Sequence, residues 1–195
     1  MSSKKNEERN KQILKAAEKL FAQKGFSDTT IVDIVKEAKI SEATLYEYFS
    51  SKEELLFSIP KDLTKNEKEQ IEFILNHVRG AENKIRSFIY HYLWFWQTHE
   101  DYAAIAFLIL KPNRKFIKTE SYKIIKDTMR ILIPIIEKGI ADGELKENIS
   151  PELTLTMILS TTEYLVTSKV LHGIPGNLID HVDSITDHIL GGILK

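Results

Sequence analysis

The sequence predicts an all-α protein of about nine helices, and three observations carry that reading. Apolar residues recur at helical spacing in nearly every segment. Start and stop residues fall where those stripes begin and end. No segment sustains the two-residue alternation of a half-buried strand, and there is no low-complexity tract or fixed-period repeat.

Taken in order, Ile13, Ala17, Leu20 and Phe21 form the first stripe, and Gly25 ends it. Ile31, Ile34, Val35 and Ala38 form the second, opened by Thr30 with Asp33 three residues on, a capping-box arrangement. Ser41 caps a third helix over 42–49. Ser51 with Glu54 repeats the capping pattern for a fourth, which carries Leu55, Leu56 and Ile59. Pro60 then removes an amide donor and disfavours helical geometry at Ile59, so a kink or break is expected there. The pattern resumes through Leu63, Ile71, Ile74, Leu75 and Val78 to Gly80.

A fifth helix, about 83–99, has Ile85, Phe88, Ile89, Tyr92 and Trp96 on one face and Leu93, Trp94 and Phe95 off it. A helix apolar nearly all round is buried or lines a cavity. A sixth, 102–110, stops at Lys111-Pro112-Asn113. A seventh spans 121–143 with a bend at Pro134. Ser150-Pro151 opens an eighth, because proline is best tolerated in the first turn, and Gly173 and Pro175 break it. The last, 177–194, carries Leu178, Val182, Ile185, Ile189 and Ile193 in one stripe.

The chain has 195 residues, 43% hydrophobic and 28% charged, which suits one large domain or a small one attached to a bigger one. The net charge is -1, so no global basic field announces a polyanionic partner. Residues 1–30 carry +3 and residues 31–60 carry -3. The absence of cysteine excludes disulfides, thiolate metal sites and cysteine nucleophiles. Residues 1–11 lack the apolar core of a signal peptide. The longest apolar run, 103–110, falls far short of the ~20 residues a membrane-spanning helix needs. A soluble, cytoplasmic protein is expected.

The stretch SEATLYEYFSSKEELL crowds Leu45, Tyr46, Tyr48 and Phe49 into five positions. Consecutive helical residues point about 100° apart, so these side chains cannot share one core. Leu45 and Phe49 can be buried together, which turns Tyr46 to solvent. Two short helices joined by a tight turn, with the first helix packed behind, have helix-turn-helix anatomy. There the second helix buries one face and presents the other to the DNA major groove.

ILKAAEKLFAQKGFSDTTIVDIVKEAKISEATLYEYFSSKEELL resembles the N-terminal domain of TetR-family transcriptional regulators over about fifty residues. The landmarks A-x-x-L-F-x-x-x-G-F, T-T-x-x-x-I and T-L-Y-x-Y-F-x-S-K-E-x-L-L are all present. EKGIADGEL, residues 137–145, is similar to the end of the family's seventh helix. The resemblance implies a helix-turn-helix domain over 1–51, and over 52–195 an effector-binding and dimerisation domain whose linking helix starts at 52. It also implies residue roles. Thr30 would approach a phosphate through its hydroxyl and the helix N-terminus. Ser41, Glu42, Ala43, Thr44 and Glu47 would face base edges or nearby backbone. Tyr46, Tyr48 and Lys52 would hold phosphates.

Two positions depart from the family pattern. Lys39 stands in the turn where glycine is common, at a cost of about 1 kcal/mol if it is left-handed. Glu42 stands where a basic or small residue is common. Glutamate can accept from cytosine N4 but repels phosphates, so Glu42 or Glu47 is expected to discriminate bases rather than add affinity.

The implied effector site draws on Phe88, His91, Tyr92, Trp96, Phe107 and Tyr164, although such an aromatic set is also what a plain core looks like. The segments 116–127 and 149–153 are similar to members that sense long-chain acyl-CoA; a drug-like or aromatic ligand is the alternative. No His-x-x-x-His spacing occurs, so no metal is expected, and no cofactor or catalytic constellation is legible. The expected function is a repressor that binds a palindromic operator as a homodimer through its last two helices, and is released by a hydrophobic effector. A helical scaffold or adaptor that ignores DNA is the alternative.

Overall fold

A computed structural model describes residues 2–195, with side chains from residue 5; Met1 and the side chain of Lys4, counted in the N-terminal charge, lie outside the described residues. The order is α1 (Ser2–Asp28), α2 (Ile31–Glu37), α3 (Glu42–Tyr48), α4 (Lys52–Ser58), α5 (Pro60–His77), α6 (Ala81–Thr98), α7 (Glu100–Ile105), α8 (Glu120–Met129), α9 (Leu132–Ala141), α10 (Pro151–His172) and α11 (Val182–Ile193). Two of the breaks, α4 to α5 and α8 to α9, are interruptions within a rod, so among the described residues the eleven segments make nine rods; α1 is kinked at Gly25 (φ 78°, ψ 172°), where the sequence places its stop. Among the described residues, extended pairing is confined to one bridge between Leu145 and Leu194.

The first such break is at Pro60. Ile59 stays right-handed helical at φ -54°, ψ -49°, contrary to expectation, so only the hydrogen-bond ladder is interrupted there. The second corrects the bend expected at Pro134. The ladder breaks at Arg130 and Ile131, and Pro134 sits in the first turn of α9. A proline clashes with the carbonyl four residues earlier, which here belongs to Arg130. The sixth helix also changes character, passing from α7 into a π-helical turn at Ala106–Leu110.

The turn between α2 and α3 is a Schellman motif. Ile40 donates to the Val35 carbonyl at 3.0 Å and Lys39 to that of Lys36 at 3.2 Å. Lys39 has φ 50°, left-handed as the sequence suggested. Lys39→Gly is therefore expected to stabilise the fold by about 1 kcal/mol in chemical denaturation.

Two hydrophobic cores form. One joins α5, α6, α9, α10 and α11 through Ile85, Phe88, Leu93, Ile136, Ile158 and Leu190. The other holds α1 to α4 together through Ile13, Phe21, Ile34, Leu45 and Leu55. It also takes in Phe95, Tyr102, Ile105, Leu110 and Phe116, so the N-terminal core runs without interruption into α6 and α7.

The stripe on the last helix is a correction. Val182, Ile185, Ile189 and Ile193 are buried in this chain's own core, against α6, rather than offered to a second copy. The exposed apolar stripe lies instead on α10, at Leu153, Met157, Tyr164 and Leu171.

Where α1 packs on α7, burial of Glu18 and the nearby Asp101 carboxylate raise the Glu18 pKa, against the smaller opposing effect of His99. An acid whose folded pKa is raised costs stability as pH climbs from the unfolded value through the folded one. Glu18→Gln is thus expected to raise the melting temperature near neutral pH. The gain should vanish well below the ordinary glutamate value of 4.5, where both states are protonated.

Candidate DNA-reading face and effector cavity

Ser41 caps α3, its hydroxyl accepting from the Thr44 amide at 3.1 Å, and the two hydroxyls lie 2.9 Å apart. Leu45 and Phe49 are buried and pin the helix down. Ser41, Glu42, Ala43, Tyr46 and Glu47 face outward, with Tyr46 52% exposed; Thr44 and Tyr48 are half-buried. Tyr48 Oη donates to Asn6 Oδ1 at 3.1 Å, tying the recognition helix to α1. Thr30 is exposed at the start of α2 in a reciprocal capping box with Asp33. The amide and hydroxyl of Thr30 hold the Asp33 carboxyl below its usual range.

Lys52 sits differently from the expectation. Its ammonium donates to the carbonyls of Phe26 at 2.7 Å and Thr29 at 2.8 Å, and lies 4.4 Å from the centre of the Phe26 ring. Two of its three donors are spent holding the α1–α2 connection. It braces the α1–α4 unit from within, leaving at most one donor for an outside partner.

A cavity of about 490 Å³ opens between α5, α6, α7, α8 and α10. Phe95, Trp96, Tyr102, Phe107, Leu110, Phe116, Ile125, Leu155 and Leu159 make it predominantly apolar. Its rim carries Lys111 paired with Glu163, Arg130 hydrogen-bonded to Glu152 at 2.6 Å and 3.1 Å, and Lys126. Inside, burial and the negative charge of Glu163 push the Tyr92 phenol well above its ordinary pKa. Trp96 Nε1 is buried without a hydrogen-bond acceptor. An apolar volume of this size with few polar groups is what a small-molecule site requires.

Of the six residues expected to line an effector site, Tyr92, Trp96 and Phe107 do so. Phe88 and His91 are buried behind the cavity wall, His91 beside Glu67. Tyr164 is 72% exposed and faces away, in a surface depression shared with Leu165, His181 and Ile185. The reason is helical phase. Leu155, Leu159 and Glu163 recur every four residues along the cavity side of α10, and Tyr164 lies about 100° further round. The same four-residue spacing, read along α10, is the signal that singles out Glu163. Glu67 carried no comparable signal, because one acid within the charged run 65–72 reads as part of a solvated face.

Comparison with known proteins agrees with this geometry. The family described as bacterial regulatory proteins of the tetR family matches residues 13–59. That described as the C-terminal region of YsiA-like proteins matches residues 64–192. The fatty acid metabolism regulator protein of Bacillus subtilis (strain 168) is 26% identical over 182 residues, covering 93% of this chain and 94% of that one. The crystal structure of the transcriptional regulator FadR from Bacillus subtilis in complex with stearoyl-CoA superposes with a TM-score of 0.84 at 26% identity, over 93% of this chain and 97% of that one. The regulator HbdR of Aromatoleum sp. (strain CIB) is 30% identical over 69% of this chain and 57% of its own length. The chain belongs to the TetR family of bacterial regulatory proteins: it is a helix-turn-helix transcriptional regulator that works as a dimer on operator DNA and responds to a ligand.

Proposed function

We propose that the effector is a long-chain acyl-CoA, taken up in the α5–α8/α10 cavity, and that its binding releases the operator. The observation that carries the reading is the division of the cavity into an apolar interior and a rim bearing Lys111, Lys126 and Arg130. An acyl chain needs the first, and the phosphates of a coenzyme A head need the second, because guanidinium and ammonium groups are the usual partners of phosphate oxygens. The complex of the Bacillus subtilis FadR with stearoyl-CoA supports it by likeness. The rival, a hydrophobic drug-like ligand, accounts for the aromatic walls but makes no use of the rim cations, of which Lys111 and Arg130 are paired with Glu163 and Glu152.

On this reading residues 1–51 form the reading head and residues 52–195 bind the effector and dimerise. Ser41, Glu42, Ala43, Thr44 and Glu47 meet bases or nearby backbone, Thr30, Tyr46 and Tyr48 meet phosphates, and Lys52 acts chiefly as a brace. The α10 stripe of Leu153, Met157, Tyr164 and Leu171, beside α11, meets its equivalent in the second copy. The chain acts by binding rather than by catalysis.

The coupling path follows from the cores. Tyr102, Phe95, Leu110 and Phe116 line the cavity and belong to the same hydrophobic cluster as α1 to α4. A chain filling the cavity presses on α7 and its π-turn, and the pressure reaches the reading head through α1 as well as through α4. Close-packed interiors transmit such displacements rather than absorbing them.

The test is a titration of fluorescent DNA from the gene's own upstream region. Micromolar palmitoyl-CoA should release the protein, and calorimetry should give one site per chain. Tight binding of a hydrophobic cation together with indifference to palmitoyl-CoA would transfer the site to the drug-like class.

A further inference from the structure

One charged group in the cavity has no role in holding an alkyl chain or a phosphate. Glu67 of α5 lines the cavity with its side chain 13% exposed, whereas Lys111 is 54%, Arg130 46% and Glu163 29% exposed. It is therefore the deepest of the charged groups in the wall, set among aromatic rings. His91, itself buried, places Nε2 2.8 Å from Glu67 Oε1. An alkyl chain that filled the cavity would strip water from this carboxylate, which is costly unless the ligand supplies a donor in its place.

His91 thus faces one of the two carboxylate oxygens, Oε1. Glu67 also lines the cavity, so its carboxylate is open to a further donor from a bound ligand. We propose that Glu67, positioned by His91, is a specificity-determining residue that accepts a hydrogen bond from a hydroxyl carried near the far end of the effector's chain. This rests on the acyl-CoA reading for its orientation: with the phosphates held at the exposed rim, the end of the chain that reaches Glu67 is the distal one. The preferred effector is then an ω-hydroxylated long-chain acyl thioester rather than a plain alkyl one. A methyl terminus placed there would bury the carboxylate against hydrocarbon and supply no donor in place of the water it displaces.

Calorimetry on the full-length protein with palmitoyl-CoA and with ω-hydroxypalmitoyl-CoA tests this. The wild type should bind the hydroxylated thioester at least tenfold more tightly. Glu67→Gln, which keeps the shape but weakens the acceptor, should cut that preference to a few-fold, and Glu67→Leu should invert it. Thermal melting and operator binding without effector check that each variant is folded, and the glutamine variant carries the test should the leucine one fail. Equal affinity of the wild type for the two thioesters would overturn the assignment, as would a preference that survives Glu67→Gln unchanged. If neither thioester binds, the acyl-CoA reading fails instead. Hexadecanol against the matching terminal diol then probes Glu67 alone, and a diol bound no more tightly than the alcohol refutes it.

Discussion

Replacing Gly139 by valine is expected to lower the stability of the fold by about 3 kcal/mol, the upper part of the range for overpacking a close-packed interior. Gly139 lies on α9 where it crosses the start of α6. A Cβ built there would stand 2.5 Å from the Cβ of Ala81 and 2.8 Å from Cδ1 of Leu145. Leu145 can rotate, but the Ala81 methyl is fixed to its helix, so α6 and α9 must move apart. For a chain of this size, that loss corresponds to a fall of roughly 6–12 °C in melting temperature. Combining it with Ala81→Gly removes the nearest obstructing atom and should restore part of the loss. A double variant whose losses simply add would show that the two positions do not meet as described.

Loss of Tyr46 is the largest effect expected on DNA binding. The ring is 52% exposed and contributes little to folding, so Tyr46→Ala should leave the melting temperature nearly unchanged. A hydrogen bond to a charged phosphate oxygen is worth about 1.5 kcal/mol or more. A dimer carries two reading heads, so the loss per dimer is about 3 kcal/mol, on the order of 100-fold in operator affinity. Tyr46→Phe removes only the hydroxyl and should reproduce most of it. The slope of affinity against salt should not change, because no cation is removed. Normal operator affinity in Tyr46→Phe would take the phenol out of the interface.

The two predictions draw on different kinds of information. Tyr46 was legible in the chain, because Leu45 and Phe49 are four apart and fix which way the helix is turned. The same local logic gave the caps at Thr30, Ser41, Ser51 and Ser150, all of which accept the expected backbone hydrogen bond. It also gave the left-handed turn at Lys39. Gly139 was invisible, since its importance lies in what stands opposite.

The effector residues divide in the same way. Helical spacing placed Tyr92 and Trp96 on one face of α6, and the structure puts that face against the cavity. Phe88 shares the face but lies further along the helix, where the opposite wall closes into core. Tyr164 has the chemistry of a pocket residue, but the phase of α10 turns it to the opposite side. The resemblance turns Lys52 outward, to a phosphate. The carbonyls of Phe26 and Thr29 that turn it inward lie more than twenty residues away in sequence.

The sequence alone settled the all-α class, the caps, the turn and the outward face of the recognition helix, because each depends on residues within one or two helical turns. Tertiary packing alone decided which aromatic rings line a cavity, which way Lys52 points, that the last helix is spent on its own core, and that Glu67 ends in an apolar chamber. Those outcomes depend on which surfaces meet across the bundle, and no periodicity along one helix records what stands on the other side.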